Sequence, residues 1–463
     1  MIGVALTSTN IIAYPGQDAG SWSWYPGNGG VKINNASQIA YGGTYTTNDV
    51  IGVALDLDAG TLTFYKNGVS QGVAYSGLAS DMYTPTFGYN GTVVANFGQR
   101  PFAYTAPSGF KALCTQNLPT PTVGATASTQ AGKYFNAVTY AGDGGTRSIT
   151  TVGFQPDFVW IKSRSDAIDH ALYDSRRGAL QLLQSNLTSA EASYANSLTS
   201  FNSDGFSLGG ATDVNANFKT YVAWNWKANG AGVTNTAGSI TSTVSANTTS
   251  GFSVVTFTSQ GAGSGTFGHG LGVAPAMVIV KARGATGNWS VYHRSIGATG
   301  AVRLNTTDST ITATGFWNNT APTSSVVTLG DGFSGSITHV AYCFAEVPGF
   351  SRFGSYTGNG STDGPFVYCG FRPAYVMVKC SSSGGPDPTW VVKDKLRAAP
   401  YNPQDGNLYP NLANAEDTIS TVYVDFLSNG FKIRGTYGGI NGSSQTYIFA
   451  AFAEFPQKFS LAR

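Results

Sequence analysis

Gly153–Lys162 reads GFQPDFVWIK, Leu271–Lys281 reads LGVAPAMVIVK and Gly370–Lys379 reads GFRPAYVMVK. Each phrase closes a turn with a proline (Pro156, Pro275, Pro373) and runs through apolar residues to a lysine (Lys162, Lys281, Lys379). After a variable stretch a second shared phrase follows: YVAWNWKA from Tyr221, HVAYCFAE from His339 and YIFAAFAE from Tyr447. Two phrases in one order, three times over, mark three copies of a module. The prolines recur after 119 and 98 residues. That is a small domain per copy and too long for a solenoid, whose period is roughly 20 to 50 residues. The copies are therefore expected as separate β-beads on a string. In the closing phrase Val222, Trp224 and Trp226 align with Val340, Tyr342 and Phe344, and with Ile448, Ala450 and Phe452. Alternate positions on a strand share a face, so these sets are expected to face one core.

The 463 residues fit several domains at about 100 to 200 residues each. Fifty-nine glycines, 11% charged and 13% aromatic residues describe turn-rich β-structure. A net charge of +2, from 26 scattered basic residues against 24 acids, gives no footprint for nucleic acid. The start, MIGVALTSTN, has neither the basic head nor the apolar run of a signal peptide, and no stretch approaches a membrane span. A soluble chain without membrane insertion is expected. Cys114, Cys343, Cys369 and Cys380 show no Cys-x-x-Cys spacing, so free thiols are expected. The composition suits an exported β-protein while the export features are missing. A virus particle, assembled in the host cytoplasm and released by lysis, would reconcile the two.

Residues 1–117 differ from the repeats. In DVIGVALDLDAGTLTFYKNGV, Asp49–Val69, Val53, Leu55 and Leu57 alternate, Asp58 to Gly60 turns the chain, and Leu62 and Phe64 resume. Asn67-Gly68 supplies the positive φ angles of a two-residue hairpin. This portion resembles a SPRY domain: Gly52-Val53-x-Leu55-Asp56, then Leu62-x-Phe64-Tyr65-x-Asn67-Gly68, with YTPTF at Tyr83–Phe87 and ANFGQRPF at Ala95–Phe102 fitting the family's last strands. The resemblance implies a bent β-sandwich that binds partner proteins or peptides through loops at one end. Ile2–Leu6 matches an internal strand of the family. The family's opening strands are thus expected to be absent, with the sandwich either abbreviated or completed by a neighbouring chain.

The expected fold is all-β: the SPRY-like sandwich (1–117), a linker (118–129) stiffened by the two prolines of LPTPT, and three antiparallel β-sandwich modules (130–229, 251–349, 350–463). The stretch 230–250, rich in Ala, Thr, Ser, Gly and Asn, is expected as a looser linker, and the second and third modules meet almost directly. Tyr140-x-Gly142-x-Gly144 and Tyr356-x-Gly358-x-Gly360 mark matching turns, with Gly261, Gly263 and Gly265 in the second copy. A short helix is expected in Leu183–Asn196, capped by Ser189, with a counterpart in Leu408–Asp417. The modules resemble repeats of tail-fibre and other structural proteins of tailed bacteriophages.

No chemistry is expected. His170, His269, His293 and His339 lack ligand spacing, so neither metal nor cofactor is implied. Asp169, His170, Tyr173, Asp174, Arg176 and Arg177 form the densest polar cluster, expected as a solvated loop with an ion pair. Paired carboxyls such as Asp56 and Asp58, or Glu416 and Asp417, fall on expected turns rather than across a cleft. Glu346 and Glu454 occupy matching positions that Ala228 fills in the first copy, which suits a structural role. For surface recognition the candidates are Trp22, Trp24 and Tyr25 in SWSWYPGNGG. Their rings either stack on a sugar or partner, or are buried in the sandwich. The leading expectation is a non-enzymatic bacteriophage tail fibre or similar appendage, homotrimeric, contacting other virion proteins and a host surface polysaccharide or receptor. The alternatives are a capsid or tail decoration protein docked through the SPRY-like domain, and a polysaccharide depolymerase.

Overall fold

The three proline phrases and the three closing phrases are paired strands in a computed structural model. It describes all residues except 7–13, 79–82, 89–91, 115–116, 118–121, 125, 262–263, 383–387, 398–401 and 456–463. The expected Pro-rich connector at 118–122 therefore lies almost wholly outside the described residues. The chain divides into two units, Met1–Leu118 and Pro119–Arg463.

In the first unit, β1 (Ile2–Leu6), β2 (Ser21–Tyr25), β3 (Val31–Asn34), β4 (Ser37–Ala40) and β8 (Tyr83–Phe87) form one antiparallel sheet in the order β4-β3-β2-β1-β8. β5 (Ile51–Asp56), β6 (Thr61–Lys66) and β7 (Val69–Tyr75) form a second. β1 is internal, as the sequence comparison implies. In the β5–β6 hairpin Leu55 faces Leu62 and Val53 faces Phe64. The Asp56 carboxylate closes the turn by accepting the N–H groups of Asp58 and Ala59 at 3.0 and 2.9 Å. Asn67 and Gly68 take φ of 51° and 80°, the left-handed pair a tight hairpin requires. Leu57, expected to continue the alternation, lies in the preceding turn. Among the described residues, 92–114 form no strand, so ANFGQRPF does not extend either sheet.

In the second unit each module contains the same four strands side by side, ordered leading, closing, proline and return, as the whole sheet in the first and third modules and within an eight-stranded sheet in the second. The leading strands are Phe135–Ala141, Phe252–Thr258 and Ser351–Thr357, and the closing strands are Thr220–Trp226, Thr338–Phe344 and Thr446–Phe455. The proline strands are Phe158–Ser163, Met277–Ala282 and Arg372–Cys380, and the return strands are Ala171–Asp174, Ser290–His293 and Trp390–Asp394. Register repeats with topology: Trp160 faces Trp224, Ile279 faces Tyr342 and Met377 faces Ala450. A smaller sheet accompanies each. Gly205–Leu208 lies between Arg147–Ile149 and Leu198–Asn202, Gly265–Gly268 pairs with Val326–Leu329, and Gly430–Ile433 lies between Phe366–Tyr368 and Val424–Leu427.

The modules are not separate beads. Val222, Trp224, Trp226, Val340, Tyr342, Phe344, Ile448, Ala450 and Phe452 all belong to one buried cluster. Trp226, Phe344 and Phe452, at matching positions, form a triangle with ring centroids 6.2, 5.7 and 5.9 Å apart. The packing is cyclic: Phe158 of the first module stacks on Tyr342 of the second at 4.2 Å, and Tyr375 of the third meets Trp224 of the first at 5.7 Å. The reason is visible in the closing phrases, which are apolar at both parities. Tyr221 and Ala223, on the opposite face from Trp224, join a second buried cluster, as Ala341 and Cys343 do in the second module. A strand buried on both faces needs two covers, and one small module supplies only one of them.

Other expectations change with this. The stretch 230–250 holds two strands, Val233–Asn235 and Ser242–Asn247, that extend the second module's sheet. Leu183–Asn196 and Leu408–Asp417 contain no helix. Ala192–Ser193 instead pairs with Gln181–Leu182, and the one-turn helices lie at Thr212–Asn215, Thr314–Trp317 and Gly438–Asn441. The turn glycines are held where expected in two copies. A Cβ on Gly142 would lie 2.1 Å from the Ala216 carbonyl oxygen, and one on Gly358 2.4 Å from that of Gly442. In the second copy Phe257 takes the tyrosine position, stacked on His339 at 5.2 Å as Tyr140 is on Tyr221 at 5.3 Å.

Because the triangle is shared, Phe452→Ala is expected to destabilise the whole 119–463 unit by about 3–5 kcal/mol. Urea unfolding followed by tryptophan fluorescence and by far-UV circular dichroism should show one transition displaced as a whole. Loss of the third module alone, with the first two unfolding at the wild-type midpoint, would contradict a common core.

Candidate interaction site

Sequence singled out the β2 aromatics, and the first unit separates them. Trp24 is fully buried, with Tyr45, Phe64 and Tyr41 at 4.8, 5.8 and 6.0 Å, so it is a core residue and not a stacking platform. Trp22 shares its face, as strand spacing dictates, and is half-buried against Tyr83 at 5.7 Å. Tyr25, at the strand end, is half-buried with its ring over Gly27, where a Cβ would come within 2.5 Å of it.

Around Tyr25 the loops 26–30 and 41–50 are pinned from below. Tyr45 donates its hydroxyl to the Trp24 carbonyl at 2.9 Å, and Tyr41 donates to the Gly72 carbonyl at 2.6 Å. The Asp49 carboxylate accepts from the Thr46 N–H at 2.8 Å and from the Asn67 amide at 2.7 Å, and pairs with Lys66 at 3.2 Å. Those contacts, the Thr46 N–H foremost, hold the Asp49 carboxyl below its ordinary range. With Asp49 and Lys66 paired, the exposed groups here (Asn28, Gly43, Thr46, Thr47, Asn48) are neutral. Such a surface offers peptide groups, amides and hydroxyls in a fixed arrangement and no acid–base pair. Among the described residues, twelve of the nineteen exposed large apolar side chains lie on this unit, including Val50, Val69 and Val73. Apolar exposure is thus concentrated on the smaller unit.

The second unit's polar residues turn inward. Asp174 and Arg177, expected on a solvated loop, are buried and bonded to each other. Tyr342 donates to Asp174 at 2.8 Å, and Arg177 reaches Glu191 at 3.1 Å, which in turn holds Arg283 of the second module at 2.7 Å. The same lock recurs one seam on. Asp394 pairs with Arg397 at 2.6 Å and accepts from the Trp224 indole at 2.8 Å, while Glu416 pairs with Arg397 and with Arg164 of the first module at 3.0 and 2.8 Å. At the remaining seam His293 donates to the Phe449 carbonyl at 3.1 Å, and the Thr310 N–H meets the Ser381 carbonyl at 2.9 Å. Glu346 binds Arg294 and Arg352, and Glu454 binds Arg372 and Lys395. Where Ala228 replaces them, Asp157 supplies the carboxylate, accepting from the Ala228 N–H and the Ser175 hydroxyl at 2.7 Å each.

The histidines are consumed the same way. His170 accepts from the Trp160 indole at Nδ1, 2.8 Å, so its proton sits on Nε2 and is donated to the Tyr409 carbonyl at 3.0 Å. Burial pushes His170 down to about 3, and His293 and His339 down to about 4. Lys162, Lys281 and Lys379, buried at the ends of the proline strands, are pushed down to about 8 by burial. All four cysteines are free thiols. Among the described residues no group of three or more His, Cys, Asp or Glu side chains could hold a metal, and no helix is long and apolar enough to cross a membrane.

Two family models match this architecture. Residues 130–456 match the family described as "Domain of unknown function (DUF7483)", and residues 1–100 match the SPRY domain. The chain belongs to the DUF7483 family and carries a SPRY domain ahead of that unit. Over 106 residues it is 38% identical to Ran-binding protein 9 of Xenopus tropicalis, covering 22% of this chain and 19% of that protein. It is equally similar to Ran-binding protein 10 of Danio rerio, 22% against 17%, and 34% identical to the Ran-binding proteins 9/10 homolog of Drosophila melanogaster, 22% against 11%. The match spans less than a fifth of each relative. These findings overturn the expected bacteriophage role: the similarity runs to animal Ran-binding proteins, and nothing in it indicates a tail fibre, a decoration protein, a depolymerase or host attachment.

Each buried histidine has a folded pKa below its ordinary value of about 6.5, so between that value and about 4 the unfolded chain binds protons that the folded chain refuses. Their contribution to stability is complete above pH 6.5 and lost as pH falls through that window. Urea midpoints should therefore drop from pH 7 to pH 4.5, and His293→Gln, which keeps a donor toward Phe449, should flatten part of the drop. An unchanged slope in the variant would assign it to other groups.

Proposed function

We propose that this is a non-enzymatic partner-binding protein, in which the SPRY domain presents its Tyr25-side loops to a protein or peptide and the DUF7483 unit is a rigid carrier. The observation that carries this reading is the pinned, uncharged rim formed by loops 26–30 and 41–50, whose hydrogen-bonding groups are pre-ordered before any ligand arrives. Similarity to proteins named for binding Ran supports a protein ligand, and the concentration of exposed apolar side chains on the same unit agrees with it. A non-catalytic reading is supported by the second unit, where the four histidines and the carboxylates of Asp157, Asp174 and Asp394 are committed to structural bonds.

The test is selection of peptides from a random library on the full chain, with Ran assayed in parallel as the partner in the relatives' names. Tyr25→Ala and Asn48→Asp are expected to weaken selected binders about tenfold or more without lowering Tm. Binders indifferent to both changes, or mapping only to residues 130–456, would overturn the assignment.

A further inference from the structure

We propose that the cleft between the first and third modules binds a small aromatic carboxylate. A cavity of about 280 Å³ opens there, between the leading strand of the first module and the proline and closing strands of the third. Phe135, Ala137, Ala374 and Ala453, all buried, make an apolar floor, and the Phe135 ring stacks on Phe452 of the aromatic triangle at 5.1 Å. Lys133, Lys395 and Glu454 stand at the rim. Apolar walls with a few charged groups at the mouth are the usual build of a small-ligand site.

The repeats explain why the cavity lies at this seam. Ala137 faces Trp224 and Phe353 faces Ala450, at matching closing positions, so Asn136 and Ala137 of the first module correspond to Arg352 and Phe353 of the third. Between the second and third modules Arg352 binds Glu346 at 2.6 Å and Phe353 is fully buried beside Phe344 at 6.2 Å, so the chain's own guanidinium and ring take the equivalent place. In the first module that ring is reduced to a methyl group, and Asn136 turns its amide to the Val152 carbonyl at 3.0 Å. Relative to its counterpart, the cleft lacks a phenyl-sized apolar body. Charge sets the other half of the ligand. Glu454 is already paired with Lys395 at 2.9 Å and with Arg372 at 3.2 Å. Lys133 is exposed, and among the described residues its ammonium meets only the Gly153 carbonyl, at 3.3 Å. The excess at the mouth is positive, which selects a carboxylate over an amine.

Titration of the full chain with benzoate at neutral pH and constant ionic strength, followed by ligand NMR, tests this. A saturable site with a dissociation constant of about 1 mM or tighter is expected, at least about tenfold weaker for benzamide, which keeps the ring without the charge, and for benzylammonium, which reverses it. Ala137→Phe, which copies Phe353, should abolish binding in a chain still folded by circular dichroism, and Lys133→Gln should weaken it about threefold or more. Absence of saturable benzoate binding overturns the proposal. So does benzamide or benzylammonium binding as tightly as benzoate, or benzoate affinity unchanged in either variant. Should Ala137→Phe fail to fold, Ala137→Val decides, since it copies Val254 of the second module. It should weaken benzoate about threefold or more, and unchanged affinity there overturns the site.

Discussion

The second unit rests on closing strands that cannot leave either face in water. Trp224 and Trp226 look one way and Tyr221 and Ala223 the other, and each side is buried. Burying such a side chain is worth roughly 1.5–3 kcal/mol against leaving it exposed, so a lone module would forfeit several such terms at once. Three sheets that each lack one cover solve this together by turning their bare faces to a common axis. The aromatic triangle is where that solution closes.

Around this core the seams use charge for alignment more than for strength. Removing Asp174 and Arg177 from water costs much of what their attraction returns, and buried pairs of this kind add little net stability. What they do fix is which residue meets which. Asp174 orients Tyr342, Asp394 orients Trp224, and Glu191 and Glu416 each tie two arginines from adjacent modules. At the third seam, between modules that follow each other directly along the chain, Glu346 does the same for Arg294 and Arg352.

The repeat, the strand phrases and the SPRY hairpin were legible because they depend on local pattern: period-two alternation, proline and Asn-Gly turns. The shared core is also written in the sequence, in closing phrases apolar at both parities, while a spacing of about a hundred residues points to independent beads. The polar locks were not legible. Arg164 meets Glu416 across 252 residues, and nothing near either residue announces the other. Trp24 stood open between stacking and burial for a simpler reason: a tryptophan beside a glycine turn looks the same in sequence whether its ring points outward or inward. Tyr25 kept its place at the loops because it ends the strand.

A ring whose last strand spans Thr446–Phe455 imposes an order on its own synthesis. Until that strand leaves the ribosome, the first two sheets hold a greasy inner surface with nothing to lie against, and the pairing that shuts it bridges roughly three hundred residues of contour. Contacts so far apart in the chain form slowly. The nascent protein therefore passes through a long interval as an unfinished two-thirds ring, and it is then, not in the completed fold, that it is most exposed to sticking to its neighbours.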